Sequence, residues 1–176
     1  MDSVYGRSRE LAEGILRLIA DLHGPEDIVP ASLQRATGVE IAFNRDDPRI
    51  YGFGQRLDER WLCNLVSLRD HDRNGDGDGD AAPNRLLFSF DDQSGREDDW
   101  SQVAGLDYDA YAHALTGAGY VGEALCGPRE AFYGMRFRRG AIVLDLTLRG
   151  ENEDRPLHLC VSRILIDTSQ ARHGHG

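Results

Sequence analysis

Ile50-Tyr-Gly-Phe-Gly-Gln-Arg-Leu-Asp-Glu-Arg-Trp-Leu-Cys-Asn-Leu-Val-Ser-Leu68 is the stretch on which the fold class turns. Two runs, Ile50 to Gln55 and Trp61 to Leu68, read as strands, and the polar pair Asp58-Glu59 turns the chain between them. Upstream, Val39, Ile41 and Phe43 alternate with Glu40 and Ala42, as on a strand with one buried face. Asp46-Asp47-Pro48 then turns the chain towards Ile50. Downstream, a Gly/Asp-rich loop over residues 69–84 leads into another strand, Arg85 to Phe90. Strands joined by short polar turns predict an antiparallel meander.

Further out the period changes. Leu11, Ile15, Leu18 and Leu22 recur at helical spacing, so Ser3 to Leu22 is expected to form an amphipathic helix. Asp2 or Ser3 can cap its start, and Gly24-Pro25 stops it. Pro30 to Ala36 reads as a short helical turn closed by Gly38. A second helix is expected from Tyr108 to about Ala118, capped by Asp107 and ended near Gly117 and Gly119. Three more strands follow, at Ala131–Phe137, Ala141–Leu148 and Leu157–Ile166, with turns at Arg139-Gly140 and over residues 151–156. Nothing repeats as βαβ, which argues against a parallel Rossmann-type sheet. The expectation is a single α+β domain over residues 1–167 and a flexible tail over 168–176. The domain would be a curved antiparallel sheet of six to seven strands, with the N-terminal and central helices on one face.

Composition narrows the function classes. A chain of 176 residues with 40% hydrophobic side chains is long and apolar enough for a real core. The three cysteines, Cys63, Cys126 and Cys160, are odd in number and lack a Cys-x-x-Cys pair, so neither a disulfide framework nor a zinc knuckle is indicated. No secretory leader or membrane span is apparent in the sequence, and a bacterial cytoplasmic protein is expected. All 20 basic residues are arginine, which fits GC-rich coding. Net charge is −10, and its placement is uneven. Residues 70–109 hold three Arg against twelve Asp and Glu, whereas residues 110–176 hold eight Arg against seven acids. Such a block repels nucleic acid and anionic membrane and attracts a basic protein. The competing reading is a solvated acidic loop that keeps the protein soluble.

The motifs are sparse. Asp70-His-Asp-Arg-Asn-Gly-Asp-Gly-Asp-Gly-Asp80 resembles a calcium loop, with Asp70, Asp72, Asn74, Asp76 and Asp78 as candidate Ca2+ ligands. Its twelfth position is Pro83 or Ala81 where an EF-hand places Glu, and its flanks read as strands. A mobile hairpin loop is the competing reading, and no cofactor is required. His158 and Cys160 share strand parity, the minimum for a Cys/His pair, but nothing in the sequence activates the thiol. There is no phosphate-binding glycine loop and no nucleophile elbow. Tyr51-Gly-Phe-Gly54 reads as close sheet packing rather than a phosphate cradle. Arg136, Arg138 and Arg139 form a small basic cluster. Enzyme chemistry is therefore not expected.

Residues 106–167 resemble the small immunity proteins of bacterial toxin systems in style. The likeness lies in Tyr111-x-x-x-Leu115-x-x-Ala118-Gly-Tyr120 and Tyr133-Gly-Met-Arg-Phe137, followed by an apolar hairpin and a closing strand. It implies a non-catalytic protein that binds and blocks a cognate toxin, expected to be basic. It carries over no individual residue. The charge pattern independently offers Asp91, Asp92, Glu97, Asp98 and Asp99 as partner contacts, with Trp100 read either as an aromatic anchor among them or simply as a core residue. A secretion chaperone or adaptor, which would act as a dimer, is the second binding reading. A metal-dependent enzyme or calcium module using the Asp-rich loop is the third. The sequence carries no signal for oligomeric state.

Overall fold

The computed structural model describes residues 3–69 and 82–170. It is α+β, with one eight-stranded, wholly antiparallel sheet. The chain opens with α1 (Val4–Asp21), a 3₁₀ turn (Pro25–Asp27) and α2 (Pro30–Thr37). A meander follows: β1 (Ala42–Phe43), β2 (Tyr51–Arg56), β3 (Trp61–Leu68) and β4 (Arg85–Asp92). A long connection and α3 (Tyr108–Gly117) carry the chain to the far edge. There β5 (Val121–Cys126), β6 (Phe132–Arg139), β7 (Ile142–Gly150) and β8 (Leu159–Asp167) wind back to the centre. The strand order is β1-β2-β3-β4-β8-β7-β6-β5. Each half is thus a helical segment followed by four strands, and the halves meet where β4 pairs with β8.

Local chemistry explains the helices. The Ser3 hydroxyl accepts from Gly6 N–H at the start of α1, and the Asp107 carboxylate accepts from Ala110 N–H at the start of α3. Gly38 ends α2 with φ of 72°, a conformation that costs a side chain strain. α1 buries Leu11, Ile15, Leu18 and Ile19, and its capping Leu22 is buried with them, each worth about 1.5–3 kcal/mol.

Register defines the two faces of the sheet. Leu86, Ile166, Leu144 and Phe137 pair in turn across β4, β8, β7 and β6, and all four are buried in the core that also holds the helix residues. One residue along, Val66, Leu87, Leu165, Asp145, Arg136 and Glu123 pair across β3 to β5 on the opposite face. Apart from the exposed Glu123, these side chains are half-buried. Gly52 allows the closest main-chain approach: a Cβ there would sit 1.8 Å from the Leu65 carbonyl oxygen. The Tyr51–Gly54 segment is accordingly packed into the sheet.

Four features differ from the sequence expectation. The sheet has eight strands, not six to seven, because β5 was not anticipated. Its residues are exposed except for the half-buried Leu125, so no hydrophobic period marks it. The alternation from Val39 to Phe43 contributes only two residues to the sheet, and Phe43 is exposed. As an edge strand that, among the described residues, pairs only with β2, β1 has too little cover to bury a face. β4 runs two residues beyond Phe90 and takes Asp91 and Asp92 into its ladder with β3. Thr168, assigned to the tail, is fully buried, and both its hydroxyl and its N–H donate to the Asn84 carbonyl. No helix among the described residues is long and apolar enough to cross a membrane.

Candidate functional site

The acidic connection after β4 is held by one arginine. Arg60 ends the β2–β3 turn, and the pairing of Trp61 with Asp92 sets it beside the end of β4. Its guanidinium donates to Asp92 Oδ2 from Nε at 3.0 Å and from Nη2 at 2.6 Å, and reaches Asp98 at 2.7 Å. The Asp92 side chain is completely enclosed. It also accepts from Ser94 N–H and hydroxyl and from Glu97 N–H. The Arg60 bonds, followed by those of Ser94, hold the Asp92 carboxyl well below the usual carboxylate range, and Asp92 in turn raises the Arg60 guanidinium. Glu97 takes a positive φ of 51° inside this tight turn.

Trp100 locks the other end. It is buried, its ring lies 5.0 Å from that of Trp61, and its Nε1–H donates to Glu97 O at 3.3 Å. Its backbone N–H donates to Glu151 O at 2.7 Å, which ties the connection to the β7–β8 loop. Asp99 caps Ser101 N–H at 3.0 Å, and its carboxyl is lowered chiefly by hydrogen bonding from the Ser101 side chain.

The structure therefore divides the six sequence-derived contacts. Asp92 and Trp100 are internal: one is the buried partner of Arg60, the other part of the core. Of the two readings of Trp100, the structure takes the core one and not the surface anchor, because its apolar ring packs tilted against Trp61. Glu97 and Asp98 are half or more exposed, with side-chain exposures of 57% and 50%, and Asp99 is half-buried and held by Ser101 N–H. Asp91 lies on the uncovered face of the sheet, bonded by Asn64 Nδ2–H and by the Ser89 hydroxyl at 3.1 Å. Beside it is a cavity of about 170 Å³ walled by Asp91, Glu97, Thr147, Arg149 and Arg163. Arg149 reaches Glu97 at 3.4 Å. Arg163 meets no carboxylate at ion-pair distance among the described residues. Sequence reasoning missed Arg60, Arg149 and Arg163. Counting the β3–β4 register was the one route to Arg60, and the intervening loop hides that register.

The remaining candidates separate cleanly. The calcium-loop residues Asp70, Asp72, Asn74, Asp76 and Asp78 lie outside the described residues. Among the described residues no three His, Cys, Asp or Glu side chains gather as metal ligands. His158 faces carboxylates: Nδ1 lies 2.9 Å from Glu151 and Nε2 3.1 Å from Asp107. Burial, with the Glu151 and Asp107 charges, pushes the Cys160 thiol up to about 12, the reverse of an activated nucleophile. The basic cluster is internally neutralised. Arg136 forks onto Asp145 with two 2.6 Å bonds, Arg138 meets Glu123 at 3.2 Å, and Arg139 caps helix ends.

No family model matches the sequence, and neither a curated protein nor a solved structure matches the chain.

Proposed function

We propose that this chain is a non-catalytic binding protein of the immunity type, which neutralises a basic toxin through the acidic ridge of residues 91–99. The observation that carries the reading is the preorganised ridge. Arg60–Asp92 and Trp61–Trp100 fix its ends, while Glu97, Asp98 and the Asp91 edge of the sheet face outward. A ridge held this way loses little conformational freedom on binding, and its charge speeds encounter with a cation-rich surface. In sequence, the flanking residues 70–90 and 100–109 hold seven further acids against two arginines, a charge of the same sign.

The test is capture of partners by the purified chain from a lysate of its own organism, at low and at high salt. A basic protein retained at low salt, weakened at high salt and lost with the double variant Glu97→Lys, Asp98→Lys supports the ridge. Relief of that protein's toxicity when the two are co-expressed supports neutralisation. Retention that ignores salt and survives the double variant sinks this interface. Recovery of a secreted effector without any toxic activity moves the assignment to a chaperone.

A further inference from the structure

We infer that β5 is a self-association edge, through which two copies of this chain pair antiparallel across a two-fold axis at Ala124. The two ends of the sheet differ sharply. β1 is two residues long, a blunted edge. β5 is six residues, Val-Gly-Glu-Ala-Leu-Cys, with no proline and no lysine to guard it. Among the described residues it pairs only with β6, and no strand lies opposite its outer row of N–H and C=O groups. Apolar side chains flank it: Val121 is 75% exposed, and Phe132 and Tyr133 on β6 are about half exposed.

Symmetry and charge select the occupant and the register. Antiparallel pairing of two identical edges requires the axis to stand perpendicular to the sheet, which keeps each side chain on its own face. Such an axis on Glu123 or on Ala124 pairs most of the strand. The Glu123 axis sets Glu123 against its own copy, two like charges directly opposite. The Ala124 axis sets Ala124 against itself, Glu123 against Leu125 and Gly122 against Cys126. Glu123 is the sole charge on β5 and is already held by Arg138. The charges beside this edge balance, Arg138 with Glu123 and Arg136 with Asp145, so two chains of net charge −10 meet here without local repulsion. Gly122 and Ala124 point to the helix-covered face, as the closeness of a Gly122 Cβ to the Phe137 ring shows, and their small size leaves the axis open. The pairing does not rest on the toxin reading, and it uses none of the ridge residues.

Light scattering after gel filtration across a concentration series tests this on the full chain. A concentration-dependent dimer is expected. Ala124→Asp places two carboxylates on the axis, and Ala124→Arg two cations. Ala124 is exposed, so both variants fold by circular dichroism, and each raises the dissociation constant by about tenfold or more. An equimolar mixture of the two recovers the dimer, which a folding defect would not do. Ala124→Cys in a Cys126→Ser background forms a disulfide-linked dimer on mild oxidation, whereas Val121→Cys in that background does not. A chain monomeric at all concentrations overturns the inference, as does a dimer untouched by both charge variants.

Discussion

At the scale of single residues, buried polar atoms separate structure from chemistry. Tyr111 is enclosed in the core, its hydroxyl has no hydrogen-bond partner among the described residues, and burial pushes its phenol far up. A lone buried hydroxyl costs desolvation without return. Tyr111→Phe is therefore expected to be neutral or to stabilise by up to about 1 kcal/mol, read from urea unfolding. A loss greater than that would mean that the hydroxyl has a role the geometry does not reveal. Cys63, beside it in the core, has its thiol raised by burial and then by Asp91, so two of the three cysteines are inert packing groups.

At the scale of elements, one side chain joins three pieces of the fold. Arg139, at the end of β6, donates to Ala118 O after α3 and to Ile19, Ala20 and Leu22 carbonyls at the end of α1. Its guanidinium also lies 4.4 Å from the Tyr120 ring centre. The last carbonyls of a helix lack partners, and a cation there meets the negative end of the helix dipole. Arg139→Ala is expected to cost about 2–3 kcal/mol. Arg139→Lys should recover only part of it, because an ammonium cannot fork across several carbonyls. Equal stability of wild type and Arg139→Ala in thermal unfolding would refute the clasp. In the sequence this residue was simply one of three neighbouring arginines. The helices themselves were legible, since capping and apolar spacing at Ser3, Asp107, Leu11 and Ile15 are local properties. β5 was not legible, because an exposed edge strand has no burial period to read.

At the scale of the whole molecule, acid should unfold the chain through its ion-paired and hydrogen-bonded carboxylates. Asp92, Asp47 and Asp99 all hold carboxyls below their ordinary values, with Arg60, Arg49 and Ser101 as the first causes. A lowered folded value means that the unfolded chain takes up protons first as pH falls. The stability from these groups is therefore complete above about pH 4, the unfolded carboxylate range, and is lost progressively below it. Asp92→Asn is expected to lower stability at pH 7 by about 2 kcal/mol and to flatten the decline between pH 4 and pH 2. Urea midpoints across that range check both. An unchanged slope in the variant would show that Asp92 is not the dominant titrating group.

The sequence by itself determined the α+β class, most of the strands, the caps and the placement of charge, because each follows from neighbours along the chain. It also marked residues 91–99 as acidic. Only the tertiary structure decided which of those acids face solvent. Asp92 is spent on Arg60 and Trp100 on Trp61, pairings made across strands that a loop of unmarked register separates. The order of the strands, and with it the two unequal edges of the sheet, was likewise a tertiary outcome. Strand pairing joins residues far apart in sequence, and the hydrophobic period along each strand specifies a buried face but not a neighbour.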